Sequence, residues 1–175
     1  EYPLLLEEAR RRMELAARIG APWIVASPPR EACDFAQIAR RYRDLLEIGR
    51  QAGVRPTFEY ISFFGSVYSL GQAWEIVQRA EDEDATLIVD SFHNYNGGGT
   101  TEELRRIPAA RTQTDPDRVM PGLGPIDLAA EIAALREIGY SGTVSLELFN
   151  RELWARDPRE VLREGFERMS ELFAE

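Results

Sequence analysis

Short apolar runs alternate with amphipathic stretches along this chain. PWIVAS (22–27), PTFEY (56–60), ATLIVDS (85–91) and GTVSLELF (142–149) read as strands, rich in β-branched and aromatic residues. Before and between them, apolar residues return at helical spacing. Leu5, Ala9, Met13, Ala16, Ala17 and Ile19 form the first such stripe, and Gly20 stops it. Further helices are predicted over 35–52, closed by Gly53, over 70–81, 101–107, 126–138, closed by Gly139, and 158–173. Nearly continuous apolar strands separated by helices make a parallel sheet covered by helices.

Spacing sharpens this. Glu59 and Asp90 end successive strands 31 residues apart, the length of one βα unit. Asp90 and Glu147 are 57 apart, nearly two units, yet IPAARTQTDPDRVMPGLG between them holds no strand-like run. The chain also opens on a helix with no strand before it. The expected fold class is therefore α/β, a (β/α)8 TIM barrel present in incomplete form, since a full barrel needs eight strands and about 250 residues. The first strands, and one later strand near residues 108–114, are expected to be missing, with a break in the chain within roughly 108–115. One domain is expected over 1–175.

Composition narrows the function. A chain of 175 residues that is 44% hydrophobic supports one sizeable core. Lys and Arg number 21 against 30 Asp and Glu, a formal net charge of −9, which disfavours a nucleic-acid partner. A single cysteine, Cys33, excludes an internal disulfide and a cysteine-based zinc cluster. No apolar run reaches membrane-spanning length, and EYPLLLEEARRRMELAARIG reads as a charged helix rather than a signal peptide. The expectation is a cytoplasmic protein without a membrane partner.

The carboxylates carry the chemistry. Glu59, Asp90 and Glu147 each stand at the C-terminal end of an apolar strand. A buried carboxylate is costly unless paired or metal-bound, and that end of the strands carries the active site in βα barrels. A shared metal or acid–base site is expected in preference to scattered ion pairs. His93, the only histidine, follows Asp90 by three residues at the rim of the same site, and reads as a hydrogen-bonding group toward a substrate hydroxyl rather than a metal ligand. NGGGT (96–100) reads as a flexible loop, for no GxGxxG or P-loop pattern accompanies it. In DRVMPGLGPIDL (117–128), Asp127 can cap the following helix, while Arg118 either reaches the site or stays on the surface. Phe63, Phe64 and Tyr68 either cover the site or pack beneath their own loop.

FEY, VDSFHNY, DRVMPGLGPIDL and VSLELFN, in this order, resemble the xylose-isomerase-like (β/α)8 superfamily, nearest its inosose isomerase and sugar 3-epimerase branch. The resemblance runs from the fourth strand onward, the C-terminal two-thirds of such a barrel. It implies one divalent metal held by Glu, Asp, His and Glu at four strand ends, with Glu59, Asp90 and Glu147 matching three of them. The histidine ligand would lie on the strand after the DxFH motif, the strand not visible in this sequence. His93 and Arg118 match substrate contacts. Oxygen-rich ligands suit Mn²⁺ or Mg²⁺, and Co²⁺ or Zn²⁺ are also compatible.

The implied function is isomerisation or epimerisation of a small sugar or keto-polyol through a cis-enediolate. Glu59 and Glu147 would carry the proton, and assembly as a homo-oligomer stays open. Two alternatives stand beside it. One is the endonuclease branch, which acts on abasic DNA with several zinc ions; one histidine and the acidic charge argue against it. The other is a sugar-binding barrel that has lost its metal.

Overall fold

The computed structural model describes residues 1–108, 112–115 and 120–174. Its elements run α1 (Tyr2–Arg18), β1 (Trp23–Ala26), α2 (Phe35–Ala52), β2 (Arg55–Phe58), α3 (Leu70–Ala80) and β3 (Leu87–Asp90). They continue with α4 (Ser91–Asn96), α5 (Thr101–Arg105), β4 (Thr112–Asp115), α6 (Leu128–Glu137), α7 (Arg151–Trp154) and α8 (Pro158–Ala174). The strands form one sheet in the order β1-β2-β3-β4. β1 pairs parallel with β2 from Trp23↔Arg55 to Ala26↔Phe58, and β2 pairs parallel with β3 at Phe58↔Leu87. β1, β2 and β3 lying side by side in parallel, each reached through a helix, is the arrangement the alternating pattern predicts.

Two compact units emerge, Glu1–Ile88 and Val89–Glu175, with the division inside β3. In the first, α2 starts where the Asp34 carboxylate accepts the Ala36 N–H at 2.9 Å, and stops at Gly53 with φ 76. Its buried face carries Ile38, Ala39, Tyr42 and Leu46. The helix approaches the sheet so closely at Gly49 that a Cβ there would lie 2.4 Å from the Val54 carbonyl oxygen and 2.5 Å from Pro56 Cδ. α3, capped by Ser69, buries Leu70, Ala73, Ile76, Val77 and Ala80. Tyr42, 2% exposed, reaches from α2 to the backbone of Pro56 and Thr86.

The second unit corrects the sequence reading twice. A strand near residues 108–114 was expected to be missing; the strand β4 occupies Thr112–Asp115, while residues 109–111, within the range of the expected break, lie outside the described residues. Its sequence, TQTD, is wholly polar, so no hydrophobic period announces it, while threonine suits an extended backbone. The expected strand over 142–149 forms only a single bridge, at Val144. Its side chains still alternate: Val144, Leu146 and Leu148 are half-buried, while Ser145, Glu147 and Phe149 are exposed. The half-buried three line a cleft with Val161, Leu162 and Phe166 of α8. The alternation therefore reports packing on a helix, not membership of a ladder. α6 begins as expected, with Asp127 accepting the Ala130 N–H at 3.0 Å.

Candidate metal centre at the strand ends

β2 ends at Phe58, and Glu59 follows with its N–H still bonded to the Ala26 carbonyl at 3.1 Å. Thr57, Phe58 and Tyr60 around it are buried, and Glu59 itself is half-buried. β3 is buried along its whole length, and its last residue, Asp90, is 3% exposed. Asp90 is also the N-cap of α4, its Oδ1 accepting the His93 N–H at 2.7 Å. Charge-assisted capping of this kind satisfies one orphan donor of the helix. Because the helix starts directly on the strand, His93 lies within one turn of Asp90 and is 2% exposed.

Within the second unit, ligand atoms of Asp90 and His93 lie within 4.8 Å of one another. A carboxylate and an imidazole side by side are ordinary donors to Zn²⁺ and its first-row neighbours and fit a divalent metal. The sequence-predicted ligand Asp90 thus stands beside the histidine assigned to substrate, while Glu59 follows β2 in the first unit. Glu147 is exposed on the extended segment before α7. Arg118 lies outside the described residues.

The loop following Glu59 is tied down within the first unit. The Gly65 N–H donates to the Arg30 carbonyl at 2.7 Å, and the Ser66 hydroxyl donates to the Pro29 carbonyl. Phe63, 68% exposed, meets Phe64 edge-on with centroids 5.5 Å apart, and the Arg30 guanidinium stands 5.6 Å from the Phe64 ring centroid. In NGGGT, the Gly97 N–H goes to the His93 carbonyl at 2.9 Å and the Gly99 N–H to the Asn94 carbonyl at 2.8 Å. Those donors close α4 and are not turned toward an anion.

Sequence reasoning overlooked Asn94 and Glu131. The buried amide of Asn94 donates from Nδ2 to Glu131 Oε1 at 3.0 Å. One signal was present: Glu131 falls on the same apolar stripe of α6 as Leu128, Ile132 and Leu135.

A family model described as xylose isomerase-like TIM barrel matches residues 5–172. The chain belongs to that family. An inosose isomerase of Halalkalibacterium halodurans is 30% identical to it across 93% of this chain and 65% of the relative. A 3-dehydroshikimate dehydratase of Pseudomonas aeruginosa is 28% identical across 83% of this chain and 26% of that protein. A crystal structure of an IOLI protein with a binding zinc atom superposes with a TM-score of 0.91 at 25% identity, covering 98% of this chain and 69% of that one. The fold is thus that of a TIM barrel, and this chain spans 65% of the length of the inosose isomerase. Among the described residues, no helix is long and apolar enough to cross a membrane.

Proposed function

We propose that this chain carries the metal-binding half of a divalent-metal-dependent isomerase or epimerase acting on a small sugar or keto-polyol. The observation that carries the reading is the buried carboxylate of Asp90 at the end of β3, with a ligand atom of His93 within 4.8 Å of it. The inosose isomerase relatives and the zinc-bearing neighbour support it. Zn²⁺ joins Mn²⁺ and Mg²⁺ as a candidate, with Co²⁺ allowed by the same donors. The proposed setting is the cytoplasm, with a small-molecule substrate, no nucleic acid or membrane partner, and room for a homo-oligomer.

In this reading Glu59, Asp90 and Glu147 hold the metal. When bound, the metal would polarise a substrate carbonyl as a Lewis acid. The chain's own residues do the rest. Glu59 and Glu147 act as the proton pair: one removes the C–H proton beside the carbonyl, and the other delivers a proton to the resulting enediolate. Delivery to the neighbouring carbon isomerises, and delivery to the opposite face of the same carbon epimerises. His93 and Arg118 orient substrate oxygens, and Phe63 and Tyr68 shield the reacting carbon from water. Asp90 keeps its carboxylate fixed because α4 is built on it.

A second assignment is favoured by the pairing of Asp90 with His93. With its ring within ligand reach of Asp90, His93 would replace Glu147 as a ligand, leaving Glu147 to proton transfer alone. The test begins with metal analysis of the dialysed protein. It is followed by incubation with inososes and ketoses in D₂O and proton NMR of the substrate. Loss of the C–H signal beside the carbonyl, dependent on Zn²⁺ or Mn²⁺, is expected. Stoichiometric metal without exchange on any such substrate would sink the isomerase reading and leave a sugar-binding barrel. Cleavage of an abasic duplex would move the protein to the endonuclease branch.

A further inference from the structure

Glu131 occupies a place where a carboxylate is costly. It is 9% exposed on the buried stripe of α6, with Leu128, Ile132 and Leu135 on the same face. Its partner, the Asn94 amide 3.0 Å away, is 2% exposed, and the Oδ1 of that amide has no hydrogen-bond partner among the described residues. Half of the amide's capacity is therefore unused. On stability alone, two apolar side chains of similar volume would serve as well or better. The pair has to be explained by what it holds in place.

What it holds is α4. This helix has six residues, far too few to persist by its own hydrogen bonds. Its start is fixed by the Asp90 carboxylate through the His93 N–H. Asn94, the next residue, is gripped on two sides. Glu131 takes its Nδ2, and Gly99 lies against its Oδ1 so tightly that a Cβ at position 99 would come within 1.8 Å. Consecutive residues of a helix point about 100° apart. Fixing the Asn94 side chain therefore fixes the direction in which the His93 side chain leaves the helix.

We infer that Asn94 and Glu131 are positioning residues, which set the rotation of α4 and thereby the placement of the His93 imidazole beside Asp90. This rests on the metal-site reading of Asp90 and His93. Neither residue touches metal or substrate; both act through α4.

The test exploits the fact that His93 is the only histidine, so one imidazole gives the only ring signals of its kind. Zn²⁺ affinity is measured by competition with a chromophoric chelator, and the metal-free His93 ring by ¹H–¹⁵N NMR. The variants are Glu131→Leu, Glu131→Gln, the double Asn94→Leu/Glu131→Leu, and Ile132→Ala. Circular dichroism checks each fold. Glu131→Leu should weaken Zn²⁺ binding about 10- to 100-fold, the usual consequence of losing an outer support of a metal ligand. Glu131→Gln keeps an acceptor for Asn94 and should stay within about threefold of wild type. The His93 ring signals should move in Glu131→Leu and in the double variant. They should stay put in Ile132→Ala, which removes core volume beside the pair but leaves the pair itself.

If Glu131→Leu does not fold, the double variant, which removes both members of the Asn94–Glu131 hydrogen bond, decides. A folded Glu131→Leu or double variant with wild-type ring signals overturns the inference, as does a ring that moves equally in Ile132→Ala. Absence of Zn²⁺ binding in the wild-type chain would remove the metal-site reading instead. The ring signals would then still decide for or against the support of α4.

Discussion

Tyr42 and Thr86 hold one another in both directions. The Tyr42 hydroxyl lies 2.8 Å from the Thr86 carbonyl and 3.0 Å from that of Pro56, sharing its proton, and it accepts the Thr86 N–H at 3.1 Å. One phenol on α2 thus satisfies backbone groups of two segments leading into the site, β2 and the approach to β3. Tyr42→Phe keeps the ring and takes from the buried Thr86 N–H its acceptor, while the Thr86 carbonyl keeps the Phe58 N–H at 2.9 Å. It should cost about 1–3 kcal/mol, read by urea denaturation at neutral pH. A loss too small to measure would mean that the backbone finds other partners.

The same phenol makes an alkaline signature. Burial pushes its pKa from 10.0 up to about 12. The folded state therefore holds the proton more tightly than the unfolded state. That contribution is complete below pH 10 and disappears as pH rises through 12. Two units correspond to at most about 3 kcal/mol. The chain contains no lysine, so no side-chain ammonium titrates across this window. Stability measured from pH 9 upward should fall, and the fall should flatten in Tyr42→Phe; an unchanged slope would place the burden on other tyrosines.

Gly49 is predicted to be intolerant for reasons of space. An added methyl would meet the Val54 carbonyl oxygen and the Pro56 ring, neither of which can swing away. Gly49→Ala should gain slightly in helix propensity and lose more by pushing α2 off the sheet, a net cost of about 1–3 kcal/mol. Thermal unfolding measures the balance, and a stabilised variant would show that α2 can retreat.

At the site, Asp90→Asn and Glu59→Gln should lose metal on dialysis and lower turnover by about 100-fold or more. Asparagine still caps a helix, so Asp90→Asn should keep its circular dichroism. The two remaining candidates separate by metal content. His93→Ala retaining metal, with Glu147→Gln losing it, assigns Glu147 as the third ligand; the reverse pattern assigns His93.

How far these features can be read in advance depends on whether they are local. Strands β1 to β3 and the long helices are visible because burial imposes its period on the sequence. Glu59 and Asp90 stand out as charges ending apolar runs. β4 is invisible in the same terms, since TQTD has no apolar face and becomes a strand through its neighbours in the sheet. The 142–149 segment errs the other way: its alternation is real, but the surface that reads it is α8. His93 was placed just beyond the strand from its spacing. The cap by Asp90 is what folds the chain back and buries it. Asn94 and Glu131 are 37 residues apart, so one misplaced carboxylate on α6 is all that a sequence can display of their pairing.

Asp90 ends as the least negotiable position of the chain. It caps the helix that begins on the next residue, and in the proposed site it also offers a charged oxygen to a cation. Glutamate keeps the charge but is a poor cap, and asparagine caps without the charge. No other amino acid meets both demands. On the proposed reading, Phe63, Tyr68 and the loop that carries them could change without touching the cap, while drift at position 90 would cost the helix, the cation, or both.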